Sequence, residues 1–122
     1  MAKDAPQKEF LYRIQPVRPG MLVSGLTERE SAVIDAHFQY LKSLTDQGVV
    51  ILAARTLNTD ETCFGIVILR ASTEAAARQI MEADPAVREG VMRSALFPCN
   101  VALIETGKRP SGARPNDPKP EL

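Results

Sequence analysis

The chain has 122 residues and a mass of 13.3 kDa, enough for one domain around one core and too little for two. Hydrophobic residues make up 44% of it and charged residues 25%, the balance of an ordinary globular protein, which excludes a disordered or fibrous chain. Fifteen basic residues offset fifteen acidic ones, so no net positive field gathers nucleic acid or anionic lipid, and neither is expected as a partner.

The first eight residues are polar and aperiodic and read as an N-terminal tail, with no apolar signal core in MAKDAPQKEF. The longest apolar run, Val49 to Ala54, falls far below the roughly 18 residues that cross a bilayer. A soluble, cytoplasmic protein with no membrane partner is expected. Phe10 to Ile14 is rich in aromatic and branched residues and stops before Pro16, Pro19 and Gly20, which predicts a strand followed by a loop. Thr27 with Glu30 three residues later forms a capping box, Glu28 places an acid in the first turn, and Gly48 supplies a stop. A helix of about twenty residues is expected between them. At about 100° per residue, Val33, Ile34, His37, Tyr40, Leu41 and Leu44 share a core-facing stripe with His37 at its middle.

Val49 to Ala54 and Cys63 to Leu69 are apolar at nearly every position, the pattern of strands covered on both faces, and RTLNTDET between them predicts a hairpin loop. Ser72 is read as the cap of a second helix from Thr73 to about Ala83, with Ala76, Ile80 and Ala83 inward, interrupted by Asp84 and Pro85. After Gly90, VMRSALFPCNVALI reads as a last strand in which Pro98 forces an edge position, a bulge or a break. Residues 107–122 are proline-rich and read as a C-terminal tail whose Lys108, Arg109, Arg114 and Lys119 are diluted by prolines and acids, leaving residues 9–106 as the folded domain.

The order βαββαβ predicts an α+β, ferredoxin-like fold: a four-stranded antiparallel sheet with two helices on one face. Two helices leave the other face bare while the middle strands read as apolar on both sides. A second copy packed face to face, in a symmetric homodimer, resolves the mismatch. Cys63 and Cys99 lack metal or redox spacing and are expected as free thiols, and a single histidine cannot build a His-rich metal site, so neither a metal nor a cofactor is expected.

The segment HFQYLKSLTDQG from His37 to Gly48, two strands after it, EAAA at Glu74 and ADPAVREGV from Ala83 to Val91 together resemble the YciI-like (YCII-related) family. The resemblance runs from about Phe10 to Ile104. It implies a dimeric α+β barrel related in shape to muconolactone isomerases. It further implies that His37 on the helix and Asp84 in the DP turn form an active-site pair. Two departures alter the expected cavity: Ala53, Ala54 and Arg55 stand where members often carry glycine, and Ala86 replaces the usual aromatic after DP. The family's substrates are largely unassigned, so the resemblance implies a fold and a pair of residues rather than a reaction.

An imidazole holds or releases a proton near neutral pH, and a carboxylate beside it fixes its tautomer. His37 and Asp84 are accordingly the candidate catalytic residues. The structural readings beside them are a hydrogen-bonded core histidine and an aspartate that ends a helix by binding nearby backbone. Arg13 interrupts an apolar strand and Arg55 ends another, so either guanidinium is a candidate clamp for a substrate carboxylate, or else a strand-end arginine with a packed stem. Tyr40, like Tyr12, is a candidate to offer a hydroxyl to the same cavity, or a core tyrosine with one satisfied hydroxyl. The expected function is a small cofactor-independent enzyme, of isomerase, lyase or hydrolase type, moving a proton on a small carbonyl or lactone-like acid. The alternative is a non-catalytic dimeric module that binds a small metabolite or a partner.

Overall fold

In the computed structural model, which describes residues 6–107, the chain runs β1 (Lys8–Pro16), α1 (Met21–Ser24), α2 (Glu28–Asp46), β2 (Val50–Arg55), β3 (Gly65–Ala71), α3 (Glu74–Ala83), α4 (Pro85–Arg88) and β4 (Met92–Cys99). The strands form one antiparallel sheet in the order β2-β3-β1-β4, the α+β, ferredoxin-like arrangement, with the one-turn helices α1 and α4 added in its connections. The proline-rich tail read from the sequence lies, from Lys108 onward, outside the described residues. None of the described helices is long and apolar enough to cross a membrane.

Alternation along β1 sends Phe10, Tyr12 and Ile14 into the core beneath the helices and Leu11 and Arg13 to the other face. Opposite them β3 contributes Gly65, Val67 and Leu69, and from the helices Leu41, Ala77 and Met81 complete the cluster. Gly65 keeps the sheet close here, because a Cβ on it would stand 3.1 Å from Ile14 Cγ1.

Both ends of α2 are fixed by local chemistry. Thr27 accepts from the Glu30 amide at 3.1 Å while Glu30 Oε1 accepts from the Thr27 amide at 2.9 Å, a reciprocal capping box. At the other end Val49 N–H reaches the Leu44 carbonyl (2.9 Å) and Gly48 N–H the Thr45 carbonyl (3.0 Å), a Schellman closure that needs the φ of 79° adopted by Gly48. Arg18 adds a further clasp, donating through Nε and Nη2 to both Glu30 oxygens at 2.8 and 2.7 Å and thereby tying the β1–α2 loop to the helix.

Several local expectations are corrected. The cap of α3 is Thr73 rather than Ser72, for Thr73 accepts from the Ala76 amide at 3.0 Å. The inward stripe turns accordingly: Ala77 and Met81 are buried, Ala76 and Ile80 lie at its margin, and Ala83 is exposed. The third strand begins at Gly65, leaving Cys63 buried in the hairpin loop, and the last strand ends at Cys99 instead of continuing to Ile104. Pro98 sits on an edge strand, where a missing N–H leaves no interior ladder broken.

The second face of the sheet is bare in the single chain. Leu11, Ile66 and Ile68 are half-buried there, Leu52 and Phe97 are 44% and 45% exposed, and the Arg13 guanidinium lies 5.8 Å above the Phe97 ring.

Candidate active site

Three elements distant in sequence meet under the helices. Tyr12 stands on the central strand β1, fully buried on the helix-facing side. His37 lies midway along α2 on the face turned to the sheet. Asp84 occupies the joint between α3 and α4, where Pro85 cannot donate the next helical hydrogen bond and the backbone turns out to φ −60°, ψ 124°. That turn aims the Asp84 carboxylate inward and leaves Pro85 at the first position of α4, the place in a helix best suited to it.

The carboxylate is wholly inaccessible to solvent and has three hydrogen-bond partners. Tyr12 Oη donates to Oδ2 at 2.7 Å, the Ala86 amide donates to Oδ1 at 2.9 Å, and His37 Nδ1 lies 2.7 Å from Oδ1. Tyr12 and the Ala86 amide are fixed donors, one on each oxygen, so the carboxyl group is arranged as an acceptor on both. Its Oδ1 therefore selects the tautomer with the proton on Nδ1, leaving Nε2 with a lone pair. Among the described residues Nε2 makes no hydrogen bond and no buried side-chain nitrogen or oxygen lacks a partner, so Nε2 faces solvent, in a side chain that is 14% exposed. Burial first, and the neighbouring Asp84 charge next, push the Tyr12 phenol well above its ordinary range.

The other expected site residues do not join this cluster. Tyr40 Oη donates to the Ile80 carbonyl at 2.7 Å, stapling α2 to α3, so its only proton is committed to backbone. Its phenol is also raised, by burial and then by Asp84. Arg13 is carried to the opposite face of the sheet because it follows Tyr12 by one residue in a strand of period two, so the fold does not bring it together with His37. Arg55 pairs with Gly65 at the end of β2 and is exposed; among the described residues it makes no hydrogen bond or ion pair with His37 or Asp84. The bond from Tyr12 to Asp84 has no signal in the sequence, since 72 residues separate the two. A cavity of about 550 Å³ lined by Lys8, Phe10, Glu74, Pro98 and Cys99 includes none of the cluster. Among the described residues no group of three or more His, Cys, Asp or Glu side chains is arranged to hold a metal ion.

Against known proteins, the model of the YCII-related domain family matches residues 2–98. No curated protein matches the chain significantly. Among solved structures, 5-chloro-2-hydroxyhydroquinone dehydrochlorinase (TftG) from Burkholderia phenoliruptrix AC1100, in complex with 2,5-dihydroxybenzoquinone, is similar with a TM-score of 0.57 and 21% identity over 75% of this chain and 93% of that one. The cofactor-independent oxygenase SnoaB from Streptomyces nogalater is more distant, with a TM-score of 0.39 and 14% identity over 83% of this chain and 100% of that one.

Proposed function

We propose, for a chain that belongs to the YCII-related domain family, a small cofactor-independent enzyme of isomerase, lyase or hydrolase type that moves a proton on a small carbonyl or lactone-like acid. His37 Nε2 is the general base that takes the proton and, as imidazolium, the acid that returns it. Asp84 holds the ring in that tautomer and stabilises the charged form. The observation that carries this reading is the 2.7 Å contact between His37 Nδ1 and a fully buried Asp84, with Nε2 turned outward.

The working unit in this reading is a homodimer. Leu11, Leu52, Ile66, Ile68 and Phe97 form a continuous apolar strip on the bare sheet face, and a second copy of that face is a self-complementary cover for it.

A thermal-shift screen of small carbonyl acids and lactones, followed by turnover assays on each hit, tests the reading. Turnover that vanishes in His37→Gln while the melting temperature stays within a few degrees supports it. Hits that bind equally well to wild type and His37→Gln and are never converted would instead establish the metabolite-binding alternative.

A further inference from the structure

The Asp84 carboxylate is held from both sides, and only one side belongs to the histidine. We propose that Tyr12 is a positioning residue of the site: by donating to Asp84 Oδ2 it fixes the carboxylate plane and leaves Oδ1 to His37 Nδ1, so that Nε2 is presented as the base. The inference rests on the reading of His37 and Asp84 as an acid–base pair.

Its physical basis is the competition of donors for one anion. A buried carboxylate bonded only to an imidazole pulls strongly on the ring proton and binds a second proton tightly, so the pair is charged before it can act as a base. A neutral donor on the other oxygen spreads the negative charge and lowers that pull. The Tyr12 hydroxyl is suited to this because it approaches from the sheet, is 2.7 Å from Oδ2 and is wholly buried, while the Ala86 amide on Oδ1 is a fixed backbone donor that cannot adjust. With its phenol raised by burial and by Asp84, Tyr12 remains a donor across the neutral pH range. The titratable groups that face one another here are Tyr12 from β1, His37 and Tyr40 from α2, and Asp84 from the α3–α4 joint.

His37 is the only histidine in the chain, so its ring resonances report the pair without assignment ambiguity. In Tyr12→Phe the midpoint of the His37 ring titration, followed by NMR, should rise by up to about one unit, because Tyr12 donates to the carboxylate in both states of the ring and only the difference between them is read. Asp84→Asn should move it the opposite way. Since removing the hydroxyl can disturb packing, a second variant keeps the ring: 3-fluorotyrosine placed at position 12 in a Tyr40→Phe background is a stronger donor and should lower the midpoint relative to the Tyr40→Phe protein carrying ordinary tyrosine. Where a substrate is in hand, Tyr12→Phe should lower kcat about tenfold or more with KM little changed. A midpoint that moves in Asp84→Asn but stays fixed in both Tyr12 variants overturns the role of Tyr12 and leaves the pair standing. A midpoint unmoved in Asp84→Asn as well overturns the pair itself.

Discussion

His37 Nδ1 and Asp84 Oδ1 lie 2.7 Å apart although 47 residues separate them in the chain. The same oxygen accepts the Ala86 amide, so starting α4 and holding the imidazole are one act of one carboxylate. The two readings of an aspartate before proline, helix terminator and partner of a histidine, are therefore not alternatives in this fold.

This double duty predicts how Asp84→Asn behaves. An amide oxygen at the Oδ1 position can still accept from Ala86 and from His37 Nδ1, so the fold should survive, but the amide nitrogen then meets Tyr12 Oη at the Oδ2 position and the negative charge that favours the imidazolium is gone. The midpoint of the single histidine's ring titration should therefore fall, and NMR reads the change directly. Turnover of any substrate found should fall about a hundredfold or more, because no carboxylate then steadies the imidazolium. A titration midpoint unmoved in the variant would count against Asp84 as the partner of the imidazole.

The Arg18–Glu30 clasp makes an acid-sensitive prediction. Donation from Arg18, then from the Thr27 amide, holds Glu30 down to about 2 from an ordinary 4.5. A carboxylate with a depressed folded-state value stabilises the fold fully above its unfolded value and loses that contribution as pH falls through the folded one. Relative to Glu30→Gln, wild type should melt higher at pH 7, with the gap closing between about pH 4.5 and pH 2. A gap of constant size down to pH 2 would mean that the charge of Glu30 contributes nothing and only its hydrogen-bond geometry matters.

Ile66 and Val67 are neighbours on β3 that point to opposite faces. Val67 is 1% exposed beneath the helices, and Val67→Asp should unfold the domain or destabilise it by about 4 kcal/mol or more. Ile66 lies on the bare face, and Ile66→Asp should leave the melting temperature of the isolated subunit largely intact while splitting the proposed homodimer. Sedimentation of both variants beside wild type separates the effects. A wild type that sediments as a monomer at micromolar concentration would refute the dimer.

Gly65 tests how closely the sheet is packed. Gly65→Ala puts a methyl 3.1 Å from Ile14 Cγ1 and 3.4 Å from the Ala54 carbonyl, so a buried side chain has to give way, at a cost of about 1–2 kcal/mol. In an Ile14→Ala background the added methyl should cost much less, and chemical denaturation of the four proteins of this cycle measures the coupling. Equal costs in both backgrounds would place the strain elsewhere.

What the amino-acid sequence determined by itself is what short-range chemistry controls. The capping box of Thr27 and Glu30, the glycine stop at Gly48, the break at Asp84-Pro85 and the two periods of hydrophobicity are each written within a few residues, and they suffice for the order βαββαβ and hence for the ferredoxin-like sheet. The family resemblance carried by the segments around His37 and Asp84 stands with the family model over residues 2–98. The short, alanine-rich α3 offers nearly equal apolar faces, so only the surrounding packing makes Ala77 and Met81 its buried centre and Ala76 and Ile80 its margin. Tertiary structure alone decided that Tyr12 joins His37 on the buried carboxylate. Tyr12, His37 and Asp84 come from a strand, a helix and a joint between helices, and Arg13, one residue from Tyr12, is sent to the far side of the sheet. Contacts across 47 and 72 residues depend on the register of β1 in the sheet and the rotation of α2 above it, quantities fixed by the packing of the whole core rather than by any local run of sequence.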